Sequence, residues 1–180
     1  MSRKLKNIEL NRLSREDFKE AEKIPMVLVL EDIRSMSNVG SLFRTADSFR
    51  LEKLFLCGIT GTPPHKEIRK TALGADESMA WEKYEDAVEC IHHLKAQGYV
   101  CYALEQAEEA HWLHEFEARC KIALVLGSEV DGVSQEAIDA CNGVIEIAQY
   151  GTKHSLNVAV AGGIATYQIA TSLLSDGTSV

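Results

Sequence analysis

The sequence predicts an α/β fold with a mainly parallel sheet and helices on both of its faces. Three observations predict it. Compact apolar runs alternate along the chain with segments whose apolar residues recur at helical spacing, the pattern of repeated strand–helix units. The runs at 26–30, 121–126 and 144–147 are apolar almost throughout, as strands covered on both faces require. The 180 residues, 46% of them hydrophobic, suffice for one full core and fall short of two.

In chain order, Ser14-Arg15-Glu16-Asp17 has an N-cap pattern and predicts a short helix over 14–23, ended by Pro25. Residues 26–30 form the first strand and 31–38 a polar loop. Val39, Leu42, Phe43, Ala46 and Phe49 then fall at helical spacing, with Ser37 or Asn38 as cap. Residues 53–58 form the second strand and 59–64 a turn-rich loop. Lys66, Arg69 and Lys70, three and four residues apart, share one face of a short helix. That face suits a phosphate backbone, and equally a solvated surface. A third strand is expected over 79–84, then a helix over 86–97 stopped at Gly98. A strand over 99–104, an acidic and weakly helical segment over 105–118, a strand over 121–126 and a short helix over 136–141 follow. The chain closes with a strand over 144–147, a polar loop broken at Gly151, and a long helix without charge before Asp176. Ser155 is the expected N-cap of that helix, with Asn157 in its first turn. A helix N-terminus there favours an anionic or oxygen-rich ligand, although a plain strand–turn–helix unit has the same local pattern.

Composition narrows the function classes. There is no run of about eighteen apolar residues free of Gly and polar groups, and the N-terminus, with Arg3, Lys4, Lys6 and Glu9, lacks the apolar centre of a signal peptide. A cytoplasmic protein with no membrane partner is expected. The five cysteines are odd in number, widely spaced and without a C-x-x-C pair, which predicts reduced, mostly buried thiols. His111, His114 and Cys120 lack a second ligand pair, so no metal is expected. The net charge of -8 opposes a nucleic-acid partner, but residues 1–23 hold seven of the nineteen Lys and Arg against five acids, so local basic patches remain.

Three strands end in unusual polar loops followed by helices: Asn38-x-Gly40-x-x-x-Arg44, then Leu126-Gly127-x-Glu129-x-x-Gly132, then Gly151-x-x-x-Ser155-Leu156-Asn157-Val-Ala. In a parallel sheet such loops meet outside the carboxyl ends of the strands and assemble one site. No G-x-G-x-x-G follows the first strand, which argues against an ordinary dinucleotide site.

These three motifs, in this order, closely resemble those of the SpoU/TrmH family of RNA ribose 2′-O-methyltransferases in the SPOUT superfamily. The resemblance implies a C-terminal deep trefoil knot, S-adenosylmethionine as cofactor, and a homodimer acting on RNA; with one domain, tRNA is slightly favoured over rRNA. By the same resemblance the cofactor lies against Leu104, Glu105, Leu126, Gly127, Ile147, Ala148 and Leu156. The resemblance gives Arg44 a role in activating the hydroxyl with help from a substrate phosphate; because arginine stays charged, the expectation here is that Arg44 grips the phosphate and stabilises developing oxyanion charge, with Asn38, Ser155 and Asn157 orienting it and the ribose. Glu129 is implied to hold the loops of the site. Lys66, Arg69, Lys70 and Arg34 are the expected RNA contacts. Two departures stand out: Ala148 where the family usually has Pro, and Ser128 where Asn is common. No separate N-terminal RNA-binding domain is expected, and recognition is expected from a basic helical arm (1–24), the methyltransferase domain (25–180) and the dimer partner. A catalytically silent RNA-binding or assembly factor with the same fold, and a nucleotide-binding protein without RNA, are the competing readings.

Overall fold

The computed structural model describes residues 2–175. A single turn of 3-10 helix at Asn7–Leu10 leads to α1 (Arg15–Glu20), which Ser14 caps by accepting from the Asp17 N–H. Seven strands follow: β1 (Ile24–Glu31), β2 (Leu51–Cys57), β3 (Trp81–Tyr84), β4 (Val100–Leu104), β5 (His111–Trp112), β6 (Ile122–Leu126) and β7 (Gly143–Glu146). They form one sheet in the order β3-β2-β1-β6-β4-β7-β5, and every pairing is parallel. The helices between them are α2 (Met36–Ser48), α3 (Lys66–Ala72), α4 (Ala75–Ser78), α5 (Ala87–Ala96), α6 (Gln135–Ala140) and α7 (Val158–Ser175).

Side chains alternate across a strand, so a strand buried on both faces feeds two cores. Met26, Leu28 and Leu30 of β1 join Leu124 and Leu126 of β6 in a core roofed by α2, α3 and α7. Val27, Val29 and Val125 point the other way, into a core under α5 and α6. Helices on both faces are therefore a direct result of the unbroken apolar runs. By length and composition α7 is a helix that could cross a bilayer. Here Gly162, Ala165, Ile169, Ala170 and Leu173 are buried, and the helix packs on α2 and β1 as core.

Three expectations are corrected. The cap of α2 is Ser35, whose Oγ accepts from the Asn38 N–H, and neither Ser37 nor Asn38; the Asn38 side chain is engaged elsewhere. The cap of α7 is Asn157 rather than Ser155: its Oδ1 accepts from the N–H groups of Ala159 and Val160 at 2.9 and 3.3 Å. The acidic segment 105–118 forms no α-helix. Its apolar residues make no continuous stripe, and the open edge of β7 recruits His111 and Trp112 into a parallel pair, followed by a 3-10 turn at Leu113–Glu115.

Candidate functional site

The strand order reverses direction between β1 and β6, and a crevice opens at the carboxyl ends of the strands, where such a reversal leaves room for a ligand. It is a cavity of about 530 Å³, within the range of small-molecule sites. Its walls are the chain leaving β4 (Leu104, Glu105, Gln106), the loop after β6 (Leu126 to Gly132), the chain leaving β7 (Glu146, Ile147, Gln149) and the approach to α7 (His154 to Val158).

Carboxylates fasten these loops to one another. Glu105 accepts from the Val133 N–H at 3.1 Å and from the Gln106 N–H at 2.8 Å. The loop it holds is tight: Ser128 and Gly132 pair in an antiparallel bridge, and Gly132 has φ +71°. That positive φ favours glycine, and a Cβ there would lie 2.1 Å from Glu105 Oε2 and push the carboxylate off its loop contacts. Buried Glu31, at the end of β1, accepts from the Ser134 N–H and Oγ at 3.0 and 2.6 Å and thereby holds the start of α6. Gln106 donates to the His154 carbonyl at 2.5 Å, tying the β4 exit to the α7 approach.

A single hydrogen-bond chain joins the three sequence motifs. Glu129 accepts from the backbone N–H groups of Arg34 and Ser35, each at 3.1 Å, and from Asn38 Nδ2 at 2.8 Å. The Asn38 carbonyl in turn accepts from Asn157 Nδ2 at 3.1 Å, and Asn157 caps α7. Burial alone would raise the Glu129 carboxyl pKa. The hydrogen bonds donated by Asn38 and by the backbone of Glu129, Arg34 and Ser35 outweigh it, and the group is held below its ordinary value of 4.5.

The cavity lining carries Glu105, Glu129, Asp131 and Glu146, with no lysine or arginine among the described residues. Leu104, Leu126, Ile147 and Leu156 supply apolar wall beside them. Such a lining favours a ligand that is positively charged in one part and flat and apolar in another, and it repels a polyphosphate.

Of the residues expected to contact the cofactor, Leu104, Glu105, Leu126, Gly127, Ile147 and Leu156 line this cavity. Ala148 does not; it faces two neighbouring grooves on the outer side of the same loop. Ser155 sits exposed on the cavity wall, and Asn38, Glu129 and Asn157 are brought together as described. Arg44 lies elsewhere, in a separate cleft with Lys70. Arg34 is exposed at the cavity mouth, 4.0 Å from Asp131. Lys66 is exposed on α3, while Arg69 is engaged by Glu77 at 2.8 Å and by Asp76 at 3.7 Å. Sequence reasoning missed Glu31, Ser134 and Gln106. An acid closing an otherwise apolar strand and a serine opening a short helix were the available signals for the first two; nothing marked Gln106.

The family model of the SpoU rRNA Methylase family matches residues 25–167. The chain is 26% identical over 160 residues to the 23S rRNA (guanosine-2′-O-)-methyltransferase RlmB of Vibrio vulnificus, covering 89% of this chain and 64% of that relative. It thus spans less than two thirds of the relative's length. Among solved structures, the TrmH/SpoU tRNA modifying enzyme of A. aeolicus superposes with a TM-score of 0.80 at 23% identity, over 91% of this chain and 84% of that one. The SpoU methyltransferase AviRb of Streptomyces viridochromogenes, in complex with AdoMet, does so with a TM-score of 0.78 at 19% identity, over 88% and 64%. At these identities the structural likeness establishes the fold.

Proposed function

The chain belongs to the SpoU rRNA methylase family, and from that premise we propose that it transfers a methyl group from S-adenosylmethionine to a ribose 2′-hydroxyl of structured RNA. The observation that carries this reading is the Glu129–Asn38–Asn157 chain, which locks the three motif loops around an acidic, partly apolar cavity.

S-adenosylmethionine bound there supplies a methyl group already activated on a sulfonium. The residues present fit it. Glu105, Glu129, Asp131 and Glu146 complement its sulfonium and ammonium charges, while Leu126, Ile147 and Leu156 offer apolar surface to the adenine. The same carboxylates disfavour the polyphosphate of an ordinary nucleotide, which counts against a nucleotide-binding protein without RNA. The protein's task is then placement of the hydroxyl and exclusion of water, since positioning supplies much of the acceleration when one reactant is already electrophilic. In this reading Arg44 holds an RNA phosphate and stabilises negative charge on the reacting oxygen. Ser155, exposed beside the cavity, orients the ribose, and Asn38, Glu129 and Asn157 keep the loops in register.

The wider reading follows from the same premise. The C-terminal segment is threaded as a deep trefoil knot, a reading supported by the likeness to SpoU structures and by the Gln106–His154 tie between the β4 exit and the α7 approach. A homodimer covers the exposed Val160, Ile164 and Tyr167 of α7 and the apolar groove they share with Leu113 and Tyr150. Residues 1–24 serve as a basic arm and 25–180 as the methyltransferase domain, supported by the family match over 25–167; 176–180 lie outside the described residues. tRNA is favoured over rRNA, and the cytoplasm is the compartment where either is met.

Mass spectrometry of nucleosides from cells with and without the gene tests this. One lost 2′-O-methylnucleoside, restored by the native gene and not by Arg44→Ala, is expected. An unchanged set, with no calorimetric binding of S-adenosylmethionine, would favour the silent RNA-binding factor, a reading to which the position of Arg44 outside the cavity lends some weight.

A further inference from the structure

A second cleft, of about 620 Å³, lies between α2 and α3, apart from the cofactor cavity. Its construction begins with Gly40. A Cβ at that position would stand 2.2 Å from Thr71 Oγ1 and 2.3 Å from the Ile68 carbonyl oxygen, so the absence of a side chain is what lets α3 settle against α2. Arg44 is four residues further along α2 and therefore on the same face as Gly40. Lys70 immediately precedes Thr71. The close approach at Gly40 thus brings one cation from each helix to the walls of one cleft.

Charge at this place is unusual for the molecule. The chain carries a net charge of -8, yet neither the Arg44 nor the Lys70 side chain has an ion-pair or hydrogen-bond partner among the described residues. Arg69, one residue before Lys70, is by contrast held by Asp76 and Glu77 and turned to the network that anchors Arg15 of α1. The cleft wall between the two cations is hydroxyl-rich: Ser41, Thr45, Ser48 and Thr71 line it, and no carboxylate does. The hydroxyls of Ser41, Ser48 and Thr71 already donate to the backbone carbonyls of Ser37 and Arg44, so the cations carry the site: two uncompensated positive charges in a cleft without a carboxylate are the chemistry that accepts a phosphodiester.

We propose that Lys70 and Arg44 together clamp one backbone phosphate of the RNA in the α2–α3 cleft, with Lys70 as a positioning residue that sets where Arg44 meets the substrate. This rests on the RNA reading above. It removes Arg69 from the expected RNA contacts and gives the motif glycine, Gly40, a purpose in substrate binding.

The experiment is binding of bulk tRNA by the full-length protein across a salt series, for the wild type, Lys70→Ala, Arg44→Ala, the double variant, and Lys95→Ala on α5 at the opposite sheet face as control. S-adenosylmethionine affinity is measured by calorimetry in parallel. Each single cleft variant is expected to weaken binding about three- to tenfold and to lower the slope of log affinity against log salt, with the double variant losing about 0.7 to 0.9 in all, one phosphate contact's share. The double variant should lose less than the product of the two, because both grip one phosphate. Cofactor affinity should not change, and Lys70→Arg should restore binding. An unchanged slope in Lys70→Ala, or losses that multiply in the double variant, would overturn the clamp while leaving the RNA reading intact. A wild type that binds the cofactor and retains no tRNA at any salt would overturn both.

Discussion

The side-chain amides of Asn38 and Asn157, 119 residues apart in the chain, meet in a 3.1 Å hydrogen bond. Each amide is used at both ends: Asn38 donates to Glu129, and Asn157 caps α7. Two residues that a catalytic reading assigns to the ribose are thereby committed first to holding the site together.

Replacing Asn38 with Ala should therefore act on stability before chemistry. It removes one hydrogen bond from Glu129 and one from the Asn157 amide, both exposed enough to turn to water, so the cost is that of the bonds themselves, about 1–2 kcal/mol together. Thermal unfolding should shift down accordingly. Cofactor affinity should fall because the motif loops lose their common tie, and an unchanged melting temperature would show that the tie carries no load.

Glu129 sets an acid limit. Its folded carboxyl pKa lies below the ordinary 4.5, so its contribution is fully present above about 4.5 and is lost as the pH falls through the lower folded value. Its share of cofactor binding and stability should be flat from pH 5 to 8 and drop in the acid range. Glu129→Gln should be weaker at neutral pH and should lose that part of the acid dependence. A Gln variant whose pH profile runs parallel to the wild type would exclude the carboxylate as the latch.

Gly40→Ala should be more disruptive than a surface methyl group would be. The added Cβ meets Thr71 and the backbone of Ile68, and backbone cannot rotate away. Overpacking of this kind costs about 1–3 kcal/mol and should separate α3 from α2. Denaturant unfolding measures the cost, and Gly40→Ala combined with Thr71→Ala should recover only the part due to the hydroxyl.

Thiol titration should count one fast-reacting cysteine in the native protein and five after unfolding. Cys120 is exposed. Burial pushes Cys101 up to about 11 and Cys141 up to about 12, and Cys90 is raised by its hydrogen bond with Cys57 as well as by burial. Labelling at Cys57, Cys90 or Cys101 under native conditions would contradict this packing.

Much of the architecture was legible along the chain because strand and helix periods are local. The unbroken apolar runs foretold a sheet covered on both faces, and Ser14, Asp86 and Gly98 marked helix ends that the structure keeps. The caps of α2 and α7 were not legible. Ser35, Ser37 and Asn38 are equivalent by local chemistry, and the choice falls to Ser35 because Asn38 is drawn away by Glu129, ninety-one residues distant. The strand at His111–Trp112 was hidden for a related reason, since its partner, β7, arrives later in the sequence and only then presents an edge.

The sequence by itself determined the fold class, most of the alternating strands and helices, and the three motif loops, since each is written in neighbouring residues. Only the tertiary structure decided which members of those motifs stand together. It joined Asn38, Glu129 and Asn157 through hydrogen bonds that no spacing predicts. It also separated Arg44 from them and paired it with Lys70, because helix geometry turns residues 38 and 44 to different faces of α2 and the close approach at Gly40 brings α3 to the second. Contacts between distant segments depend on how the elements pack, and that packing is a property of the whole chain.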